Sequence, residues 1–109
     1  MSYSIEITSF FRKQAKRLLK KYPSLKHEIT DLISSLKSEP KQGDGIGNHC
    51  YKIRIAIASK GKGKSGGARV ITHIQVLQNK IFLLSIYDKS EQDSISDKEI
   101  LALVDLIPR

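Results

Sequence analysis

Hydrophobic and polar positions follow two different periods in the first third of the chain. Residues 3–8 alternate between apolar and polar, which predicts a strand with one buried face. From Ser9 the apolar residues recur at helical spacing, as Phe11, Ala15, Leu18, Leu19 and Tyr22. After Pro23, where the first helix must end, the same spacing returns with Leu25, Ile29, Leu32, Ile33 and Leu36. We expect two antiparallel helices, the second capped at its start by Ser24.

The second half of the chain has the shorter period of strands. Residues 51–58, 69–77 and 81–87 are rich in Ile, Val and Leu and are separated by polar turns, so they predict an antiparallel meander. The glycine-containing residues 39–49 and 59–67 are expected to form loops. Near the end, Ser96 and Glu99 have the spacing of a capping box, which predicts a C-terminal helix.

Together these elements predict an α+β fold. Their order is β-α-α-β-β-β-α, which corresponds to a four-stranded antiparallel sheet with a mixed edge, an N-terminal helical hairpin and a C-terminal helix. With 109 residues, of which 39% are hydrophobic, the chain is long enough for one core and too short for two. We therefore expect a single small domain over residues 1–109.

Two classes of protein are disfavoured by what the sequence lacks. No run approaches the roughly 20 apolar residues of a membrane span, and the first residues lack the layout of a signal peptide. We expect a cytoplasmic protein with no membrane partner. The one cysteine, Cys50, has no disulfide partner within the chain and no metal-type Cys/His spacing around it, so it is expected to be a small buried side chain.

Positive charge is concentrated in the predicted sheet. The chain has 19 Lys and Arg against 11 Asp and Glu, a net charge of +8. Residues 45–87 contain no acidic residue, but they contain the basic residues Lys52, Arg54, Lys60, Lys62, Lys64, Arg69 and Lys80. Such a region predicts an anionic partner, either nucleic acid or an acidic protein, although a solvated basic surface has the same composition.

Alternation along the first strand of the meander places its charged and its apolar side chains on opposite faces of the sheet. Lys52 and Arg54 point to one face, and Ile53 and Ile55 point to the other, because side chains alternate with a period of two. We expect one face of the sheet to belong to the core and the other to present cations.

The glycine- and lysine-rich loop invites comparison with a phosphate-binding P-loop. That motif needs a glycine where this chain has Ala58 and a helix after Ser65, whereas a strand is predicted there. Nucleotide hydrolysis is therefore disfavoured. The loop can still bind phosphate through its backbone and its cations. The predicted RNA- or phosphate-binding residues are Lys60, Lys62, Lys64 and Ser65, together with His73 on the following strand.

A cluster of Lys and Arg with Tyr87 at the end of the last strand suits one reaction that needs no metal. Cleavage of RNA by its own ribose 2′-OH requires charge stabilisation and two proton transfers, which such side chains supply. No pair of acidic residues occurs in the basic region, so carboxylate catalysis and a carboxylate-bound metal are disfavoured there. We expect no cofactor.

Three segments and the order of the elements carry a family resemblance. The segments are YKIR at residues 51–54, KGKGKSGGARVI at residues 60–71 and IYDKSE at residues 86–91. Together they resemble toxins of the RelE/ParE superfamily, in particular the HigB-like branch of bacterial type II toxin–antitoxin systems. The resemblance implies a RelE-like fold and a ribosome-dependent mRNA endonuclease. By position it implies catalytic roles for Lys52, Arg54, Arg69 and Lys89, with Tyr87 in place of the tyrosine that RelE carries near its C-terminus.

The resemblance also implies partners and leaves alternatives open. The partners are the ribosome with its mRNA and a cognate antitoxin, expected to be a HigA-like helix-turn-helix protein. Within the site, Lys52 is the predicted general base and Lys89 the predicted general acid. A ParE-like inhibitor of DNA gyrase and a basic RNA- or protein-binding domain without catalysis are the alternatives. The joint presence of Lys52, Arg54, Arg69, Tyr87 and Lys89 favours the nuclease.

Overall fold

Three α-helices pack against one mixed sheet in the part of the chain that the computed structural model describes, residues 2–61, 63 and 66–107. The elements follow one another as β1 (Ser4–Ile7), α1 (Ser9–Lys21), α2 (Leu25–Leu36), β2 (Asp44–Gly47), β3 (Cys50–Ile55), β4 (Ala68–Gln75), β5 (Lys80–Asp88) and α3 (Asp97–Asp105). Within these ranges, no helix is both long enough and apolar enough to cross a membrane. The predicted α+β class and the predicted helices are confirmed.

In the described part of the chain, the sheet has five strands in the order β1-β5-β4-β3-β2, which corrects the predicted four. β1 runs parallel to β5, as expected for a mixed edge, and the other neighbours are antiparallel. The additional strand is β2, which lies in the segment predicted to be a loop. It pairs with β3 through backbone groups, from Asp44 opposite Lys52 to Gly47 opposite Cys50. Its sequence, DGIG, has no alternation from which a strand is predicted.

Two of the predicted strands end earlier than expected. β3 ends at Ile55 because the chain then turns into a short 3₁₀ segment, Ala58–Lys60. β4 ends at Gln75, and the 3₁₀ segment Val76–Gln78 leaves Leu77 94% exposed at the tip of the β4–β5 hairpin. Beyond these ends, Ile57 forms a single β-bridge and is fully buried in the core, whereas Val76 and Leu77 belong to the 3₁₀ segment.

The helical hairpin covers one face of the sheet. Leu18 on α1 and Leu25 on α2 belong to a core with Val70, Leu83 and Ile86 from the sheet. Full burial of each such side chain stabilises the fold by roughly 1.5–3 kcal/mol.

Hydrogen bonds at the helix starts differ from one helix to the next. The Thr8 hydroxyl accepts a hydrogen bond from the Phe11 N–H at 3.2 Å and donates one to the Leu83 carbonyl at 2.8 Å, which ties the start of α1 to β5. The prediction that Ser24 caps α2 is wrong. The Ser24 hydroxyl instead donates to Ser59 Oγ at 2.9 Å and accepts from the Ser59 N–H at 3.1 Å.

Helix α3 packs on the opposite face of the sheet. Ile100 and Ile107 from the C-terminal segment lie in one cluster with Ile71, Leu84 and Tyr87. The predicted capping box is confirmed, since Ser96 Oγ accepts from the Glu99 N–H at 3.1 Å and Glu99 Oε1 accepts from the Ser96 N–H at 3.4 Å. This second face also holds the predicted catalytic residues of the sheet.

Candidate functional site

Three of the predicted catalytic residues form one row across the sheet. Arg54 on β3 lies opposite Arg69 on β4, and Arg69 lies opposite Tyr87 on β5. Side chains in such cross-strand pairs start about 5 Å apart. Lys52 lies two residues before Arg54 on β3 and therefore points to the same face. The structure thus brings Lys52, Arg54, Arg69 and Tyr87 together on the face that α1 and α2 leave free.

These four residues differ in their exposure. Arg54 is exposed and Lys52 is half-buried, whereas Arg69 is 5% exposed and Tyr87 is 2% exposed. The guanidinium of Arg69 donates through Nη1 to the carbonyl of Ala68 at 3.2 Å. A buried guanidinium interacts with anions more strongly than an exposed one, because little water screens it. The row therefore combines accessible cations with a protected one.

Tyr87 has an unusual hydroxyl. The oxygen is buried and has no hydrogen-bond partner among the described residues. Burial raises the pKa of Tyr87 above its ordinary value; the positive charge of Arg69 opposes this rise, and the negative charges of Asp93 and Glu99 add to it. The phenol is therefore neutral at physiological pH. A buried hydroxyl without a partner costs roughly 1–3 kcal/mol. The arrangement suits a donor that meets an acceptor oxygen only when a ligand is bound.

Lys89 follows β5 and is held by a carboxylate. Its Nζ donates to the side chain of Asp93 and, at 2.8 Å, to the Asp93 carbonyl. The hydrogen bond from Lys89 and then its charge lower the pKa of Asp93, and Arg69 and Lys52 contribute in the same direction. Asp93 thus contacts Lys89, and the charges of Arg69 and Lys52 also act on its carboxylate.

Sequence reasoning missed Asp93. The acid-free segment ends at Tyr87, so the basic region was expected to lack a carboxylate. The short connection from β5 to α3 nevertheless brings Asp93 back to the end of the sheet. The signal in the sequence was the capping box at Ser96, because it limits how far the preceding residues can extend from β5.

The side chain of Lys60 lies in a largely buried ion pair. Its Nζ lies 2.8 Å from Oδ1 of Asp88, and its side chain is only 11% exposed. Asp88 is completely buried and alternates along β5 with Tyr87, so this ion pair lies towards α1 and away from the row. The structure therefore holds Lys60 apart from the row, and its predicted role in phosphate binding stays a prediction.

The structure also separates His73 from the row. His73 lies on β4 opposite Cys50, four residues beyond Arg69, which is roughly 13 Å along a strand. Its Nδ1 lies 2.9 Å from the carbonyl of Asn48, which requires Nδ1 to carry the proton. Burial lowers the pKa of His73, and the hydrogen bond to Asn48 opposes the shift. His73 is thus part of the packing at the far end of the sheet.

Cys50 is buried, as predicted. It is 1% exposed, and burial raises its pKa to about 11, so the thiol stays protonated at physiological pH. This environment is that of a small packed side chain rather than that of a nucleophile.

The remaining predicted phosphate-binding residues, Lys62, Lys64 and Ser65, lie outside the described residues, and their role stays a prediction. The end of their loop is closely packed. A side chain at Gly67 would bring its Cβ to 2.1 Å from the carbonyl oxygen of Ile55, so only glycine fits there. The carbonyl of Gly67 accepts a hydrogen bond from the Lys89 N–H at 3.0 Å. These contacts fix where the chain enters β4, two residues before Arg69.

Metal-ligating side chains are not grouped in the described ranges: no three His, Cys, Asp or Glu residues there can hold one ion together. The expectation of a reaction without a metal or cofactor stays a prediction.

Comparisons with known proteins agree with this architecture. A family described as the RelE toxin of the RelE/RelB toxin–antitoxin system matches residues 8–106. A substituted form of the E. coli toxin RelE in the free state superposes with a TM-score of 0.64 at 15% identity, covering 99% of this chain and 100% of that chain. The isolated E. coli RelE toxin gives 0.58 at 14% identity, with 97% and 100% covered. A chain of the intact E. coli RelBE complex gives 0.50 at 19% identity, with 80% and 96% covered. At these identities the structures show a shared fold.

Proposed function

This chain belongs to the family of RelE toxins from RelE/RelB toxin–antitoxin systems, and on that premise we propose that it is a ribosome-dependent mRNA endonuclease of the cytoplasm. The observation that supports the proposal is the row of Arg54, Arg69 and Tyr87 across three neighbouring strands, with Lys52 on the same face. A row of cations beside a neutral phenol suits a phosphodiester, which needs both charge stabilisation and proton transfer to be cleaved.

In the proposed reaction the ribose 2′-OH attacks the adjacent phosphate and the 5′-oxygen leaves. Lys52 takes the proton of the 2′-OH, and Arg69 binds two phosphate oxygens through its planar guanidinium. Lys89 protonates the leaving oxygen after its contact with Asp93 opens. Tyr87 donates to a phosphate oxygen or stacks on a base. The products are a 2′,3′-cyclic phosphate and a free 5′-hydroxyl, and the reaction needs no metal.

The exposures of the side chains suggest an order of contacts. The phosphate meets the exposed Arg54 and the half-buried Lys52 first. Contact with the guanidinium of Arg69, which is 5% exposed, requires local opening around it. Binding therefore precedes assembly of the complete site.

We further propose that the chain belongs to the HigB-like branch and pairs with a HigA-like helix-turn-helix antitoxin. The segment of residues 60–71 and the net charge of +8 support this, because a basic toxin attracts an acidic segment that folds on contact. Co-expression with the neighbouring reading frame should restore growth and give a complex that purifies as one species. Separate elution with growth still arrested would contradict the pairing.

The nuclease is tested with purified ribosomes that carry a defined mRNA. We expect cleavage that survives EDTA, yields a 2′,3′-cyclic phosphate and stops when the 2′-OH at the cut site is replaced by hydrogen. Lys52→Ala and Lys89→Ala should lose cleavage and keep ribosome binding, whereas Lys13→Ala, an exposed cation on α1, should retain both. Continued cutting of the 2′-deoxy substrate contradicts the mechanism. Intact mRNA together with lost gyrase supercoiling would favour the ParE-like alternative.

A further inference from the structure

Asp88 is a completely buried carboxylate that the proposed reaction does not use. It lies between Tyr87 and Lys89 in the sequence, but its side chain is on the opposite face of the sheet, towards the end of α1. Burial would raise the pKa of Asp88, but hydrogen bonds from Lys60, Ser90 and Tyr22 outweigh this effect and hold the pKa well below its ordinary value. The group is therefore charged at physiological pH.

Four donors satisfy this carboxylate. Oδ1 accepts from Lys60 Nζ at 2.8 Å, from Ser90 Oγ at 2.8 Å and from the Ser90 N–H at 3.0 Å. Oδ2 accepts from the Tyr22 hydroxyl at 2.9 Å. A carboxylate has about four lone-pair sites, so its hydrogen-bonding capacity is filled. The ammonium of Lys60 also lies 5.5 Å from the ring centre of Tyr22, a favourable cation–π distance.

The donors come from three separate parts of the chain. Tyr22 follows the last residue of α1, Lys60 ends the 3₁₀ segment from which the cationic loop departs, and Ser90 belongs to the turn after β5. The backbone carbonyl of Asp88 also accepts from the N–H groups of Glu91 and Gln92, both at 3.0 Å. Asp88 thus joins the start of the loop to the turn that carries Lys89.

A buried ion pair is weak evidence for a role in stability. Burying a charged pair carries a desolvation penalty, and well-packed apolar residues of similar volume are often as stable or more stable. A carboxylate with all its hydrogen bonds made also fixes the directions of its donors, because each donor must approach along a lone pair. An apolar residue imposes no such directions. On β5 the direction matters, because the two neighbours of Asp88 are both predicted catalytic residues.

We propose that Asp88 and Lys60 are a positioning pair for the active site. By fixing the end of β5, they hold Tyr87 in the row with Arg69 and direct Lys89 towards Asp93 on the other face. Through Lys60 they also hold the 3₁₀ segment Ala58–Lys60 against the turn that contains Lys89 and Ser90. The proposal rests on the proposed nuclease function and adds residues that act through others and do not touch the substrate.

The pair is tested by removing either partner without changing its size much. Asp88→Asn and Lys60→Met each leave the other group without its opposite charge, and Tyr22→Phe removes one hydrogen bond as a milder change. We expect kcat for ribosome-dependent cleavage to fall by roughly 10²-fold in the first two variants, the loss typical of a small misplacement of catalytic groups, while KM changes little. The double variant should lose no more than either single one, because the residues act as a unit.

The matched control is Glu91→Gln. It breaks the exposed ion pair with Arg17, at 3.0 Å, which lies close in sequence to Asp88 but outside the buried network. Glu91→Gln should keep the wild-type kcat. A merely structural role for Asp88 would lower the denaturant midpoint and leave kcat per folded molecule unchanged. That outcome, in Asp88→Asn or in Tyr22→Phe if Asp88→Asn does not fold, overturns the proposal.

A second readout separates this proposal from the proposed function. In ¹⁵N-labelled protein, the Nε–H signal of Arg69 is assigned by its loss in Arg69→Lys. We expect one sharp signal in the wild type and in Glu91→Gln, and a shifted or broadened one in Asp88→Asn and Lys60→Met. If the wild type does not cleave mRNA but these signals change as expected, the nuclease proposal fails and the positioning role stands. Identical Arg69 signals in all variants overturn the positioning role whatever the activity.

Discussion

The face of the sheet that packs on α1 and α2 and the face that carries the row of Arg54, Arg69 and Tyr87 are built from alternate residues of the same strands. On β4, Val70 faces the helical hairpin and Arg69 faces the other way; on β5, Ile86 and Tyr87 do the same. All four are buried. The two faces differ in the chemistry of what is buried. Apolar surface on the helical face stabilises the fold, whereas burying a guanidinium and a phenol on the other face carries a desolvation penalty.

Two neighbouring polar residues at the end of β5 also differ in how they are satisfied. Asp88, on the helical face, receives hydrogen bonds from Lys60, Ser90 and Tyr22. The hydroxyl of Tyr87, one residue away on the other face, has no partner among the described residues. The hydrogen bonds of Asp88 hold a fixed structure in place, whereas the hydroxyl of Tyr87 is left as a donor for a ligand. The comparison therefore predicts that substituting apolar residues of the helical face changes stability, whereas substituting residues of the row changes activity.

The largest effect is expected from Ile86→Ala on the helical face. Truncation of a buried isoleucine leaves a cavity and should lower the free energy of unfolding by roughly 2–5 kcal/mol. Cleavage per folded molecule should stay at the wild-type level. Urea denaturation measures the first quantity and cleavage normalised to the folded fraction the second. Leu77→Ala, at an exposed tip, is the control and should change neither. A large loss of normalised cleavage in Ile86→Ala would show that the two faces are not separable.

Arg69→Ala is the counterpart on the other face. Loss of its bidentate contact should raise the cleavage barrier by roughly 2–4 kcal/mol, the range for removal of a preorganised donor. Arg69→Lys should recover little, because an ammonium lacks the planar fork. Single-turnover cleavage on programmed ribosomes gives the barrier, and Arg12→Ala, an exposed cation on α1, controls for charge. Full cleavage by a folded Arg69→Ala variant removes this residue from the mechanism.

Tyr87→Phe should move stability and activity in opposite directions. Removing a buried hydroxyl without a partner should leave the free energy of unfolding unchanged or raise it by about 1 kcal/mol. Cleavage should fall by roughly tenfold, equivalent to about 1.4 kcal/mol in the barrier, because the donor to the phosphate is lost. Paired measurements of urea unfolding and cleavage rate check both signs. A variant that is destabilised by more than about 1 kcal/mol would mean that the hydroxyl is satisfied in the folded protein.

Much of the helical face was predictable from the sequence, because residues buried on one side of an element recur at a regular spacing along the chain. The stripes of α1 and α2 recur at helical spacing, and the near-continuous apolar run of β5 marks a strand covered on both faces. The meander predicted that the three strands are neighbours, and the register that places Arg54, Arg69 and Tyr87 side by side comes from the structure.

The polar contacts were not predictable, because they join residues that are distant in the sequence. Such contacts produce no regular spacing of residue types along the chain. The pairing of Lys60 with Asp88 spans 28 residues, and neither position differs in sequence from an exposed one. Asp93 joins the site only because the chain turns back after β5. β2 was not predicted for a related reason. Its glycines pair through their backbone and have no side chains that could show the alternation of a strand.

The smallest expected effect concerns His73, on the same face as Arg69 but at the other end of β4. Because burial lowers its pKa, the folded protein holds His73 neutral at a pH where the unfolded chain, with an ordinary value near about 6.5, already binds a proton. The unfolded state then binds more protons, so the free energy of unfolding should fall as the pH drops below about 6.5. The fall should end once the pH is below the pKa of His73 in the folded protein.

His73→Gln keeps a donor for the carbonyl of Asn48 and should remove this part of the pH dependence. His27→Gln, an exposed position on α2, should leave it intact. Urea unfolding between pH 5 and 8 measures the slope, and an equal slope in the wild type and His73→Gln would assign it to other groups. Cleavage at neutral pH should survive His73→Gln, because roughly 13 Å of strand separates His73 from Arg69. Lost cleavage with an unchanged fold would return His73 to the site and extend the row along the whole length of β4.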